Sequence, residues 1–143
     1  VFMSGNSIAR VGSVILLTFC LLVTWQAQAE SRKGSKQKEA QAEYKQLVGK
    51  WQRPDGGYIL ELSEVSKSGK LKAEYFNPHP INVSEANWRR IDDHIHVVVE
   101  LQDVNYPGST YKLIYSHRED RLEGYYYQAA LRQIFDVVFV RTK

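Results

Sequence analysis

The stretch that decides the fold is "LVGKWQRPDGGYILEL" at residues 47–62. It opens with Gly49-Lys50-Trp51, turns through Pro54-Asp55-Gly56-Gly57, and resumes with Tyr58, Leu60 and Leu62 at alternate positions. Pro, Asp and Gly set the backbone angles of tight turns, and a period of two puts every second side chain on one face of a strand. From Gly49 onward the chain therefore reads as β-structure.

The same period recurs downstream. "LKAEYFN" (71–77) aligns Leu71, Ala73 and Tyr75, and "HIHVVVELQ" (94–102) aligns Ile95, Val97, Val99 and Leu101. "YKLIY" (111–115) aligns Tyr111, Leu113 and Tyr115, and "LEGYYYQ" (122–128) aligns Leu122, Gly124 and Tyr126. A closing run, "IFDVVFVR" (134–141), is apolar on both faces. Turn punctuation separates them: "SKSGK", "NPHP", "DD", "NYPGS" and "HRED". With strands around Trp51 and Trp88, eight strands are predicted, and no segment after Gly49 has a helical period. Consecutive strands joined by short turns leave two raw sheet edges unless the sheet closes on itself. An eight-stranded antiparallel up-and-down β-barrel is the predicted fold, with a β-sandwich as the alternative. Ala73 and Gly124 fall at matching places in two similar hairpins, where a coiled strand needs room to bend.

Ahead of the strands the composition changes. Arg10 precedes the uncharged run Val11–Trp25, and Ala27 and Ala29 form an Ala-x-Ala pattern. This is the layout of a signal peptide over residues 1–29 cleaved after Ala29, which predicts a secreted or periplasmic protein that meets a membrane only during export. Cys20 is the only cysteine and lies inside that run, so the mature chain would carry no thiol and no disulfide. Residues 30–38 ("ESRKGSKQK") read as a solvated tether. "EAQAEYKQLVG" from Glu39 reads as a short helix leading into the barrel, so 30–46 is tether plus helix and 47–143 is the barrel domain.

Residues 30–50 hold six Lys/Arg against three Glu, whereas residues 51–143 hold twelve Lys/Arg against thirteen Asp/Glu. The basic balance belongs to the tether, and no basic stripe interleaved with aromatics marks the folded part as a nucleic-acid binder.

Leu47-x-Gly49-x-Trp51 heading an antiparallel meander resembles the calycin group: lipocalins, fatty-acid-binding proteins and the avidin/streptavidin class. The resemblance spans residues 47–143 in strand order, and its one sharp motif is Gly-x-Trp. It implies a binding barrel in which the glycine permits close approach at the closed end and Trp51 plugs the floor. Arg53 and Gly57 stand where an avidin-like first hairpin would carry Asn and Ser, whereas Tyr75 falls where a tyrosine ligand would be expected.

Trp51, Tyr58, Tyr75, Trp88, Tyr111, Tyr115 and Tyr126 are the lumen candidates, because tyrosine supplies an apolar wall plus a hydroxyl that needs a partner. The competing explanation is that strands simply favour tyrosine. Val98, Ile134, Val138 and Val140 would face outward, and an apolar outer wall calls for cover. Either the segment around Tyr44 and Leu47 or a second copy of the chain would provide it. Asp92, His94 and His96 alternate onto one face and form a weak metal candidate, outweighed by a solvated turn. Asn82 heads an Asn-Val-Ser sequon. No Gly-x-Ser-x-Gly elbow, surviving cysteine nucleophile or Gly-rich phosphate loop points to catalysis, and no cofactor is expected. The leading expectation is an exported barrel holding a small apolar or aromatic molecule in its lumen. A protein-interaction or inhibitor barrel acting through its outer wall or loops is the alternative, and a barrel enzyme ranks third.

Overall fold

The computed structural model describes residues 28–35 and 43–142. Two compact units divide the chain, Val1–Ala40 and Gln41–Lys143. In the first, residues 28–35 are helical and every side chain is exposed. These residues overlap the expected tether of 30–38, and good helix formers (Gln28, Ala29, Glu30, Arg32 and Lys33) account for the local structure. The leader's apolar run, Cys20, Ala27 and the helix start at Glu39 lie outside the described residues.

The second unit is all-β: one antiparallel sheet of nine strands curled into a nearly closed barrel. In chain order these are β1 (Gly49–Gln52), β2 (Ile59–Ser63), β3 (Lys72–Phe76), β4 (Pro80–Ile81), β5 (Val83–Ile91), β6 (His94–Asp103), β7 (Tyr106–Ser116), β8 (Arg121–Gln128) and β9 (Gln133–Arg141). Their order in the sheet is β4-β3-β2-β1-β9-β8-β7-β6-β5. The ninth strand corrects the expected eight. It is the two-residue β4, which pairs Tyr75 with Ile81 and Phe76 with Pro80 where the sequence shows only turn residues.

Alternation is sharpest in β6, where Ile95, Val97, Val99 and Leu101 are buried, and in β7, where Ser109, Tyr111, Leu113 and Tyr115 are. Asp92 and Asp93 both have positive φ, which gives the β5–β6 hairpin the twist of a tight two-residue turn. Gly124 pairs with Leu113 and Val137, and a Cβ there would lie 2.1 Å from the Lys112 carbonyl. β7 and β8 thus approach more closely than any side chain at position 124 permits, as the small residue predicts.

A 3₁₀ turn, Tyr44–Leu47, packs Tyr44 and Leu47 into the core and closes one end of the barrel. The outer wall does not receive it. Tyr44 and Leu47 turn into the core, and Val138 and Val140 on the wall are exposed.

Ring closure is uneven. β1 joins β9 through Trp51–Arg141 and Gln52–Val140, with the Thr142 amide just beyond β9 donating to the Lys50 carbonyl at 2.9 Å. Between β3 and β5 a single bridge, Lys70–Asn87, and the Trp88 amide donating to the Gly69 carbonyl (2.7 Å) span the gap.

Candidate functional site

The floor is built around Trp51, which is fully buried. Its indole N–H donates to the Leu47 carbonyl at 3.0 Å, and its ring meets Tyr115 edge-on at 6.0 Å. Arg141 stacks its guanidinium 4.1 Å from the indole centroid. The same side chain donates to the carbonyls of Val48 and Gln46 and to the Asp120 carboxylate, lashing the 3₁₀ turn to the last strand. Gly49 has φ +147°, and a Cβ there would fall 2.4 Å from the Arg141 guanidinium. The Gly-x-Trp spacing therefore has a physical reason here: the arginine occupies the space beside the tryptophan that a side chain at position 49 would fill. The hydrogen bond from Arg141 holds the Asp120 carboxyl below its usual range. A surface cleft of about 370 Å³ opens beside this network, lined by Gln46, Val48, Tyr115, His117, Asp120 and Arg141.

Of the lumen candidates, Trp51, Tyr115 and Trp88 belong to the floor. Trp88 stacks on Tyr44 at 5.0 Å and donates to the Ser66 carbonyl, sealing the gap beside β5. The single Tyr115 hydroxyl proton is shared between the Asp120 carboxylate (3.0 Å) and the Gln46 side-chain carbonyl (3.1 Å). Leu60, Leu62, Leu113, Leu122 and Phe139 fill the space between floor and mouth with almost no exposure.

Tyr58, Tyr75, Tyr111 and Tyr126 are brought together at the other end, where the hairpin after β1 lies beside the starts of β7 and β9. Tyr111 and Tyr126 stack at 4.5 Å, and Tyr75 leans on Tyr111 at 5.5 Å. The Tyr75 and Tyr111 hydroxyls are 2.8 Å apart. Tyr106 meets Tyr75 edge-on and accepts from the Asn77 amide at 2.7 Å. Burial pushes the Tyr111 phenol up to about 12, against the pull of hydrogen bonds from Tyr75 and Arg53, and burial also raises Tyr75 and Tyr126.

Arg53 sits among these rings, only 8% exposed. Its guanidinium lies 4.3 Å from the centre of the Tyr58 ring, forks onto Asp55, and points a third nitrogen at the Tyr111 hydroxyl at 3.4 Å. Desolvation lowers its proton affinity, but the bonds to Asp55 and Tyr111 outweigh it, so the group stays firmly charged. Neither Arg53 nor Arg141 is among the site residues that the sequence pattern suggests. Their signal was parity: Arg53 is two residues beyond Trp51, and Arg141 two beyond Phe139, both on inward-facing positions.

Exposed apolar side chains stand on the turns at this end. Val104, at 91% exposure, tips the β6–β7 turn, and Leu131 tips the β8–β9 turn, with Ile134 and Phe135 following on β9. On the wall, Val138 and Val140 are exposed and Val98 is half-buried, beside a shallow groove of about 210 Å³ that includes His96. The metal candidate does not assemble. His94 turns its Nδ1 to the Asp92 carbonyl, and among the described residues no three His, Cys, Asp or Glu side chains converge.

Comparison of the chain with protein-family models, curated proteins and solved structures finds no match.

Proposed function

We propose that this chain is an exported binding barrel whose tyrosine-lined mouth, rather than a deep lumen, receives a small aromatic or apolar molecule. One observation carries the reading. Tyr58, Tyr75, Tyr111 and Tyr126 gather at one end around a buried arginine, beneath turns tipped by exposed Val104 and Leu131. A barrel end that served only to exclude water would bury such side chains, as the floor does with Leu47 and Tyr44. Below the mouth the core is packed, and Tyr75, Tyr111 and Tyr126 are themselves buried, so a guest reaches their rings as the turns above them part. The Gly49-x-Trp51 floor supports kinship with the calycin barrels, and the Arg10–Ala29 pattern supports export.

The test is titration with the neutral dye N-phenyl-1-naphthylamine, read by its own fluorescence and by quenching of tryptophan. Tyr126→Ala and Tyr58→Ala each weaken binding. No binding by the folded wild type refutes the mouth as a ligand site.

A second reading is favoured by the exposed Ile134, Val138 and Val140, which share the outer face with Ile114 and Tyr125. In that reading the wall grips another protein or a second copy. Sedimentation of the wild type against Val138→Lys decides it: a monomer in both cases removes self-association.

A further inference from the structure

We propose that Arg53 is an anion-recognition point, so that the mouth's ligand is a small amphiphile with an aromatic or apolar body and one acceptor-only group such as a carboxylate. The inference rests on the mouth reading above and narrows it to a chemical class.

A guanidinium keeps its charge at any physiological pH, and a charge taken out of water needs an anionic partner. Asp55 is the carboxylate that Arg53 meets, but the two differ in surroundings: the arginine side chain is 10% exposed and the aspartate side chain 60%. Asp55 sits on the Pro54–Gly57 turn next to two glycines, so releasing it returns a carboxylate to water on a pliable loop. A ligand carboxylate can take over the same two-pronged contact, so the exchange leaves Arg53 with as many charge-assisted bonds as before. Asp55 thus acts as an internal stand-in that a ligand anion displaces, while the cation stays fixed between the Tyr58 ring and Tyr111.

Proton counting on the tyrosine pair gives an independent argument. Tyr75 and Tyr111 carry two hydroxyl protons and share one hydrogen bond. The remaining neighbour, Arg53, only donates. Whichever phenol donates, one buried O–H is left without a protein acceptor among the described residues. Three groups thus converge with donors in excess, which is the complement of a carboxylate oxygen. The stacked Tyr111–Tyr126 rings and the half-exposed Phe135 supply the apolar remainder of the surface.

Two dyes of one aromatic framework test this, 8-anilinonaphthalene-1-sulfonate and its neutral relative N-phenyl-1-naphthylamine. The folded wild type should bind the anionic dye roughly tenfold more tightly, the scale of one charge-assisted hydrogen bond. Arg53→Gln should bring the ratio of the two affinities close to one. Asp55→Asn, which keeps the cation and removes its competitor, should tighten the anionic dye several-fold. Equal affinities in the wild type overturn the anion proposal and leave the mouth standing, whereas binding of neither dye overturns both. Should Arg53→Gln fail to fold, Asp55→Asn decides alone, and unchanged or weaker anionic-dye binding refutes the proposal.

Discussion

The guanidinium of Arg141 lies 4.1 Å from the centre of the Trp51 indole, in space left open because residue 49 has no side chain. Three positions far apart in sequence therefore form one unit. Gly49→Ala forces a Cβ onto Arg141 at a φ of +147° and should cost about 1–3 kcal/mol in urea denaturation. In an Arg141→Ala background the same change should cost less, and the double-mutant cycle measures the coupling. Additive effects would show that the arginine does not impose the glycine. Trp51→Ala, by contrast, should cost roughly 3–5 kcal/mol in either background, since it empties the floor.

Gly124 and Gly57 make a matched pair. A Cβ at Gly124 meets the β7 backbone, which cannot swing aside, and a Cβ at Gly57 meets nothing within 4 Å. Gly124→Ala should lower stability by at least about 1–3 kcal/mol, and Gly57→Ala should be close to neutral. Thermal melts of the two variants side by side check the contrast.

The mouth tyrosines set an alkaline limit. Tyr75 and Tyr111 keep their protons to higher pH than free tyrosine, Tyr111 to about 12, because burial penalises the phenolate. Unfolded tyrosine ionises near 10, so this contribution to stability is complete below about pH 10 and is lost as pH rises towards 12. Phenolate absorbance should therefore titrate in two groups, the buried one appearing together with loss of near-ultraviolet circular dichroism. Simple titration of all nine tyrosines near pH 10 in the folded protein would contradict it.

The acid limit comes from the arginine partners. Asp120 and Asp55 are held below their ordinary value of 3.8 by Arg141 and Arg53. A carboxyl depressed by folding stabilises the fold above its unfolded pKa, and that contribution fades as pH falls through the lowered value. Urea midpoints should drop below about pH 4. Asp120→Asn, which tolerates the positive φ at that position, should flatten the drop.

Most of the barrel was legible because a strand with one dry face must alternate. β6, β7 and β8 fall within a few residues of their predicted spans, apart from the five residues that β7 gains ahead of Tyr111. β9 is apolar on both sides of the chain, yet its outward set was legible: Ile134, Val138 and Val140 are exposed as expected, with Val137 and Phe139 turned inward. β4 was hidden because its two residues lie among prolines that signal a turn. β5 alternates poorly, since much of it stays half-exposed along the incomplete seam. At the mouth, the tyrosines were found because they are aromatic, whereas Arg53 was passed over because a charge on an inward position reads as a break in the pattern. Its burial depends on Tyr58 and Tyr111, the latter 58 residues away in sequence.

The two thin joins described for the ring, β1 to β9 and β3 to β5, fall on either side of β1–β4. Mechanically the barrel is two panels, a short-stranded one and a long-stranded one, hinged at both edges. Joins with few backbone bonds open before the ladders within a panel do. Arg53, Tyr58 and Tyr75 ride on the first panel, and Tyr106, Tyr111 and Tyr126 on the second. A molecule held between them acts as a clasp across the hinge, so occupancy of the mouth should be felt as slower amide exchange at Gln52 and Val140, on a seam the molecule never touches.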